Sequence, residues 1–344
     1  VLCAYAYNMH MDVNVFGASG YAGGQLLKIL ANHPQFNLKH AFAGAKAETK
    51  ISNEHTFLSG IYDQDFEKYH DSKIDKNDIL IFALPHGESG ELAKKYLDHQ
   101  IVDLGADFRL NKPDNWKKYY SGSFAGTWTY GLPELSGQRD QISKSQHVAN
   151  PGCYATVINL SLAPFIQNDL IDLDQISVVA TSGTTGAGKK TNQNLLASEV
   201  MGSITNYKMG GQHQHIAEIQ ETLSKIQNQE VKLSFNPTLG PFSRGILANT
   251  IFKTKQKVDT KDLFSKFTDY YKDCDFIQLI QDRNISTHEV VDTNTAKFNI
   301  FVDENTDQIT VVGVIDNLIK GAAGQAIQNL NLMNKLDEQT GLQK

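Results

Sequence analysis

A glycine-rich turn between a strand-like and a helix-like segment constrains this chain more than any other feature. Met11–Phe16 is a short run of β-forming residues, and Gly17-Ala18-Ser19-Gly20-Tyr21-Ala22-Gly23 follows it directly. Leu26, Leu27, Ile29 and Leu30 then recur at helical spacing. Strand, glycine turn and helix open a βαβ unit, which commits the segment to a parallel sheet covered by helices. Gly17, Gly20 and Gly23 let the backbone turn tightly and approach a pyrophosphate, and the helix start offers N–H groups and the positive end of its dipole. Gly17, Ser19, Gly20, Tyr21 and Gly23 are therefore candidate dinucleotide contacts. A ligand-free βα turn is the competing reading.

The alternation continues with strands predicted over 38–44, 79–84 and 101–105 and a helix over 89–98. After residue 150 the pattern changes. A helix is predicted over 153–166, then strands over 176–182, 231–236, 247–253, 276–280, 297–302 and 308–314, interrupted by a helix over 260–271. Lys297-Phe298-Asn299-Ile300-Phe301 alternates polar and apolar residues, as in an antiparallel sheet with one buried face. The expected fold is α/β: an N-terminal Rossmann-type parallel sheet over 11–150, completed by a C-terminal helix over 317–334, plus an α+β catalytic domain over 151–316 with a mainly antiparallel sheet. At roughly 150 residues per domain, 344 residues suit two domains.

Charge and cysteine usage narrow the function class. The net charge is −6 and no Lys/Arg cluster stands out, which argues against nucleic acid or an anionic membrane as a main partner. No apolar run reaches the ~18 residues of a membrane helix. The cysteines Cys3, Cys153 and Cys274 are odd in number and widely spaced, which favours a reducing cytoplasm. Residues 1–10 lack the basic start and apolar centre of a secretory signal and read as a leader or expression remnant, with Met9 or Met11 as the true beginning.

Beyond the second predicted strand the chain runs Ala43-Gly44-Ala45-Lys46-Ala47-Glu48-Thr49-Lys50. An acid at the strand tip would bind a ribose 2′-OH. None is there, while Lys46 and Lys50 would suit a 2′-phosphate, so NADP is favoured over NAD; two solvated lysines are the alternative.

Asn150-Pro151-Gly152-Cys153-Tyr154 places a cysteine at the start of an apolar helix, where the dipole favours thiolate. A nucleophile that attacks an acyl carbon is the functional reading; a small core residue is the bland one. In Gln212-His213-Gln214-His215, two histidines would share a face of an extended segment. No further ligand cluster supports a metal, so one histidine as acid/base beside the cysteine is the better use. Gly183-Thr184-Thr185-Gly186-Ala187-Gly188-Lys189-Lys190 matches GxxxxGK, but Lys190 stands where Ser or Thr must hold Mg²⁺, and Thr191 is one residue late. A phosphate- or nicotinamide-facing loop is preferred to an NTPase.

Together with Ala83-Leu84-Pro85-His86-Gly87, Asp103-Leu104-Gly105-Ala106-Asp107-Phe108-Arg109-Leu110, Tyr130-Gly131-Leu132-Pro133-Glu134, Phe242-Ser243-Arg244-Gly245 and Asp316-Asn317-Leu318-Ile319-Lys320-Gly321-Ala322-Ala323, these motifs follow in order from about Met11 to Leu332. The set resembles the N-acetyl-gamma-glutamyl-phosphate reductases of arginine biosynthesis, which are similar in fold and chemistry to aspartate-semialdehyde dehydrogenase and the phosphorylating glyceraldehyde-3-phosphate dehydrogenases. The resemblance implies NADPH-dependent reduction of an acyl phosphate, N-acetyl-glutamyl 5-phosphate, through a thioester on Cys153. An N-succinyl substrate, or a related semialdehyde dehydrogenase activity, is the alternative.

It further implies His215, or else His213, as acid/base, and Asn150 with the Cys153 N–H as oxyanion donors. Arg109 would face the phosphate and Arg244 the substrate carboxylate, unless either is an ordinary ion pair. Pro85, Ser182, Gly183, Gly186, Gly188 and Asn317 would join the cofactor contacts. No metal is implied, and a homo-oligomer, dimer or tetramer, is the family expectation. Three positions depart from the usual family pattern: Ala155 follows Tyr154 where proline is usual, Gln214 and Ala217 break the common HRHxPEI, and Gly105 stands where serine is common.

Overall fold

The computed structural model describes residues 10–189 and 192–344. The leader assigned to 1–10 thus lies, apart from His10, outside the described residues, as do Cys3, Lys190 and Thr191.

Six parallel strands form the first sheet: β1 (Met11–Phe16), β2 (Phe36–Phe42), β3 (Ile79–Phe82), β4 (Ile101–Asp103), β5 (Thr129–Tyr130) and β6 (His147–Ala149). Their order is β2-β1-β3-β4-β6-β5, so the chain reverses direction across the sheet beside β1. That switch point is where a doubly wound sheet opens a crevice at its carboxyl edge. The helix Tyr21–Leu30 runs back from the glycine turn and buries Leu26, Leu27 and Leu30 against Val13 and Val15. Full burial of each such leucine contributes about 1.5–3 kcal/mol relative to exposure. The predicted helix over 89–98 is shorter, Ser89–Ala93, and β5 and β6 were too short and too weakly patterned to be expected.

Seven strands form the second sheet: β7 (Ile176–Ser182), β8 (Thr205–Asn206), β9 (Leu233–Leu239), β10 (Ile246–Lys253), β11 (Ile277–Leu279), β12 (Ala296–Asp303) and β13 (Gln308–Ile315). The order is β11-β12-β13-β10-β7-β9-β8. The central pairs β7–β10, β10–β13 and β12–β13 are antiparallel, as is β8–β9, while β7–β9 and β11–β12 are parallel. Burial alternates along β7 and β10, and the inward residues Val178, Ala180, Ile246 and Ala248 pack under the apolar helix Cys153–Gln167.

The chain's last long helix differs from its predicted span of 317–334. Asn317 lies before it, Ile319–Ala323 winds as a π turn, and the α-helix is Gly324–Met333. The wider turn is closed by Gly321 N–H to Asp316 C=O (2.9 Å) and Ala323 N–H to Leu318 C=O (2.9 Å). It brings Gly321 against Cys153, where an added Cβ would lie 2.7 Å from the cysteine Cβ. Beyond it, Ala326, Ile327 and Leu330 join the core of the first sheet.

Candidate active site

The glycine turn leaves the end of β1 at the crevice. Gly17 has φ +79°, and a Cβ there would sit 2.2 Å from the Ala83 carbonyl oxygen at the end of β3. A Cβ at Gly23 would sit 2.4 Å from the Gly17 carbonyl oxygen. Only glycines fit both positions. Gly20 caps the helix without a side chain, so the first N–H groups of Tyr21–Leu30 are left for a ligand. Pro85 is exposed just beyond β3. This cradle fits the pyrophosphate of a dinucleotide.

Cys153 is the first residue of its helix and is half-buried. Gly152 before it is wedged between two side chains: a Cβ there would lie 2.5 Å from His215 Nε2 and 2.9 Å from Arg109 Nη1. His215 is not part of an extended pair with His213, because it opens the helix His215–Gln227. His213, two residues earlier in the loop, accepts the His215 backbone N–H on Nδ1 (3.1 Å) and packs its ring edge on Tyr154. The helix start is specified by this backbone capture, which two histidines in one strand would not provide. The His215 Nδ1 has no partner among the described residues.

Burial acts on both members of the cysteine–histidine pair. Burial pushes the Cys153 thiol up to about 11, against the pull of the Tyr154 N–H and the Arg109 charge. Burial also drives His215 well below the usual imidazole range, and the Arg109 guanidinium adds to this; His213 falls to about 2 for the first reason and through its neighbour His215. Both shifts favour the neutral thiol and the neutral imidazole over the thiolate–imidazolium pair that the helix start suggested. Desolvation of a small, mostly enclosed group exceeds the effect of one helix terminus.

Arg109 is buried with all its nitrogens engaged. Nε donates to the Asn150 carbonyl (2.7 Å), Nη2 to the Leu104 carbonyl (2.6 Å), and Nη1 pairs with Glu218 Oε2 (3.3 Å). Glu218, 1 % exposed, also accepts the Tyr130 hydroxyl and the Gly152 N–H, both at 2.8 Å. Glu218 is a site residue without a motif of its own; its position three residues after His215, on the same helix face, is the signal the sequence carries for it. Asn150 donates through Nδ2 to the Ala322 carbonyl (3.1 Å) and accepts from Asn329 (3.1 Å).

The other expected contacts have these surroundings. Arg244 is held by Asp316 (2.6 Å) and Asp292 (2.8 Å), the ion-pair alternative. Asn317 uses its amide on Gly245 N–H (2.7 Å) and Thr185 (3.0 Å). Ser182, buried at the end of β7, starts the loop Gly183–Gly188, which is hydrogen-bonded to residues 242–245. A Cβ on Gly186 would come 3.0 Å from Ser182 Oγ, while Gly188 has φ +82° and open space. This loop belongs to the second sheet, so the GxxxxGK match is not the strand-to-helix turn of an NTPase. Lys46 is paired with Glu54 (2.6 Å), and Lys50 is exposed before a short helix. Among the described residues no three His, Cys, Asp or Glu side chains converge as metal ligands, and no helix is long and apolar enough to cross a membrane.

A family model described as "Semialdehyde dehydrogenase, NAD binding domain" matches residues 12–145, and one described as "Semialdehyde dehydrogenase, dimerisation domain" matches 153–317. An N-acetyl-gamma-glutamyl-phosphate reductase of Acidothermus cellulolyticus is 44 % identical over 336 residues, covering 97 % of this chain and 98 % of that one. The chain belongs to the N-acetyl-gamma-glutamyl-phosphate reductase family. A second member of that reductase family, from Pseudarthrobacter chlorophenolicus, is 40 % identical with the same coverage. Solved structures share the reductase chain's fold at lower identity. Aspartate semialdehyde dehydrogenase II from Vibrio cholerae, complexed with ASA, has a TM-score of 0.70 at 16 % identity, over 95 % of this chain and 99 % of that one. Aspartate semialdehyde dehydrogenase with NADP from Candida albicans has a TM-score of 0.68 at 14 % identity, over 94 % and 98 %.

Proposed function

We propose that this chain reduces N-acetyl-glutamyl 5-phosphate with NADPH, giving the 5-semialdehyde and phosphate through a thioester on Cys153. The observation that carries the mechanism is the packing of Gly152 between His215 Nε2 and Arg109, directly before a cysteine that opens a buried helix. Residues 11–150 with 317–334 form the cofactor half, and 151–316 the half that does the chemistry.

His215 Nε2 takes the thiol proton as Cys153 Sγ attacks the acyl carbon, which suits a neutral imidazole beside a neutral thiol. The C–O bond to phosphate then breaks, and His215 returns the proton to the departing phosphate. The Cys153 N–H and the second Nδ2 hydrogen of Asn150 hold the oxyanion. The glycine turn Gly17–Gly23 would hold NADPH, which when bound would supply a hydride to the thioester carbon. The resulting thiohemiacetal anion expels the Cys153 sulfur, which is reprotonated from solvent through His215. Arg109 and Glu218 fix the Asn150–Gly152 turn and the His215 helix, so Arg109 acts by positioning.

Acid quench of the enzyme with acyl phosphate and no NADPH should yield a peptide containing Cys153 heavier by one N-acylglutamyl group, and Cys153→Ala should lose both adduct and turnover. Turnover in Cys153→Ala would mean direct hydride attack on the acyl phosphate. Comparing turnover of N-acetyl and N-succinyl substrates fixes the acyl group. A cytoplasmic homo-oligomer is the accompanying reading, supported by the dimerisation description of the matched second half and tested by light scattering.

A further inference from the structure

We infer that Glu54 sets the balance between NADPH and NADH by competing with the cofactor's 2′-phosphate for Lys46 and Lys189; this rests on the NADPH assignment above. The tip of β2 and the glycine turn are tied together, since the Phe42 carbonyl accepts both Gly17 N–H (3.0 Å) and Ala18 N–H (2.9 Å). The ribose 2′ substituent of a dinucleotide is read just beyond that strand. Lys46 stands there, but its ammonium is on Glu54 Oε1 (2.6 Å). The other carboxylate oxygen, Oε2, holds Lys189 (2.9 Å), which also donates to the Glu54 carbonyl (3.1 Å) and to the Ser19 carbonyl within the glycine turn (3.3 Å). One carboxylate thus bridges two ammonium groups at the mouth of the cofactor cradle.

Three separate segments meet in this cluster. Lys46 follows β2, Glu54 belongs to the short helix Ile51–Glu54, and Lys189 ends the glycine-rich loop after β7, in the other half of the molecule. This gives the lysine of the GxxxxGK-like segment a use that an NTPase reading did not supply. The Glu54 backbone is fixed against the turn, because the next residue, His55, bonds the Ala18 carbonyl through Nε2 (2.9 Å) and packs under Gly24. The carboxylate can therefore rotate off the lysines without leaving the site. Lys46 and Lys189 hold its carboxyl down to about 2, so it stays anionic at every working pH.

Partly exposed ion pairs are weak, so a doubly charged phosphate can replace a single carboxylate on both lysines. NADH brings only a neutral hydroxyl and leaves the bridge in place. Glu54 therefore opposes NADPH through competition and residual repulsion, and leaves NADH nearly untouched.

Dissociation constants for NADPH and NADH, measured by calorimetry on the full chain, test this without relying on turnover. Glu54→Gln should tighten NADPH by about 3- to 10-fold, the size of two weak ion pairs, with little change for NADH. Lys189→Gln should weaken NADPH selectively, and Lys189→Arg should restore it. Thermal denaturation of each variant checks that the fold is kept. If Glu54→Gln and Lys189→Gln shift both cofactors equally, or leave a parental NADPH preference unchanged, the cluster is an ordinary surface ion pair and the proposal is wrong. If the unsubstituted chain binds neither dinucleotide, the cofactor assignment itself fails first.

Discussion

Gly152→Ala isolates the geometry between cysteine and histidine. The backbone at Gly152 has φ −69° and ψ 147°, which alanine adopts freely, so the substitution carries no backbone strain. Its methyl group would meet His215 Nε2 at 2.5 Å, His215 Cε1 at 2.6 Å and Arg109 Nη1 at 2.9 Å, where ordinary contact is 3.4–4 Å. Arg109 cannot yield, because its nitrogens are fixed on the Asn150 and Leu104 carbonyls and on Glu218. The imidazole must recede by about 1 Å, and its Nδ1, without a partner among the described residues, offers nothing to hold it. Displacement of a reacting group by about 1 Å costs about 10²-fold in rate, and overpacking of this kind costs about 1–3 kcal/mol of stability. Steady-state reductase kinetics should show kcat reduced by about that factor. The dissociation constant for NADPH should be unchanged, and the urea midpoint only modestly lower. Turnover near the parental rate with a folded variant would refute the placement of His215 as the proton carrier.

The two histidines should separate by mutation: His215→Asn should lower turnover by about 10²–10⁴-fold, and His213→Asn less, because His213 only caps the helix. The reverse order, read from kcat, would move the acid/base role to His213. Alkylation of Cys153 by iodoacetamide in the free enzyme should rise about tenfold per pH unit through neutral and mildly alkaline pH, since the reactive thiolate is the minor form below a thiol value of about 11. A rate plateau near neutrality would restore the ion-pair description. Lys320 is fully buried on Glu134 (2.6 Å) and Gln328 (2.8 Å), so Lys320→Met should lower unfolding free energy by about 3–5 kcal/mol by urea titration. Adding Glu134→Gln should recover much of the loss, and no recovery would mean that packing, not the stranded charge, is responsible.

Much of this protein was determined by local sequence. Strand β1, the glycine turn and Tyr21–Leu30 follow from periodicity and from residues that alone permit φ +79° or a 2.4 Å approach. Strands β7, β10, β12 and β13 follow from alternation, and the helix start at Cys153 from Pro151 and Gly152 ahead of an apolar run. The motifs also named Cys153, His213 and His215. Tertiary structure decided what these groups are surrounded by. Arg109 and Glu218 are 109 residues apart in the chain, Arg244 and Asp316 are 72 apart, and Glu54 and Lys189 are 135 apart. No local pattern says which cation a given carboxylate will meet, and the pairing of Arg109 with Glu218 and of Arg244 with Asp316 is visible only in the folded chain. The surroundings of Cys153 arise in the same way. A helix terminus is visible in sequence, but the burial that raises the thiol comes from tertiary packing, with Gly321 against the Cys153 Cβ and His215 and Arg109 against the neighbouring Gly152.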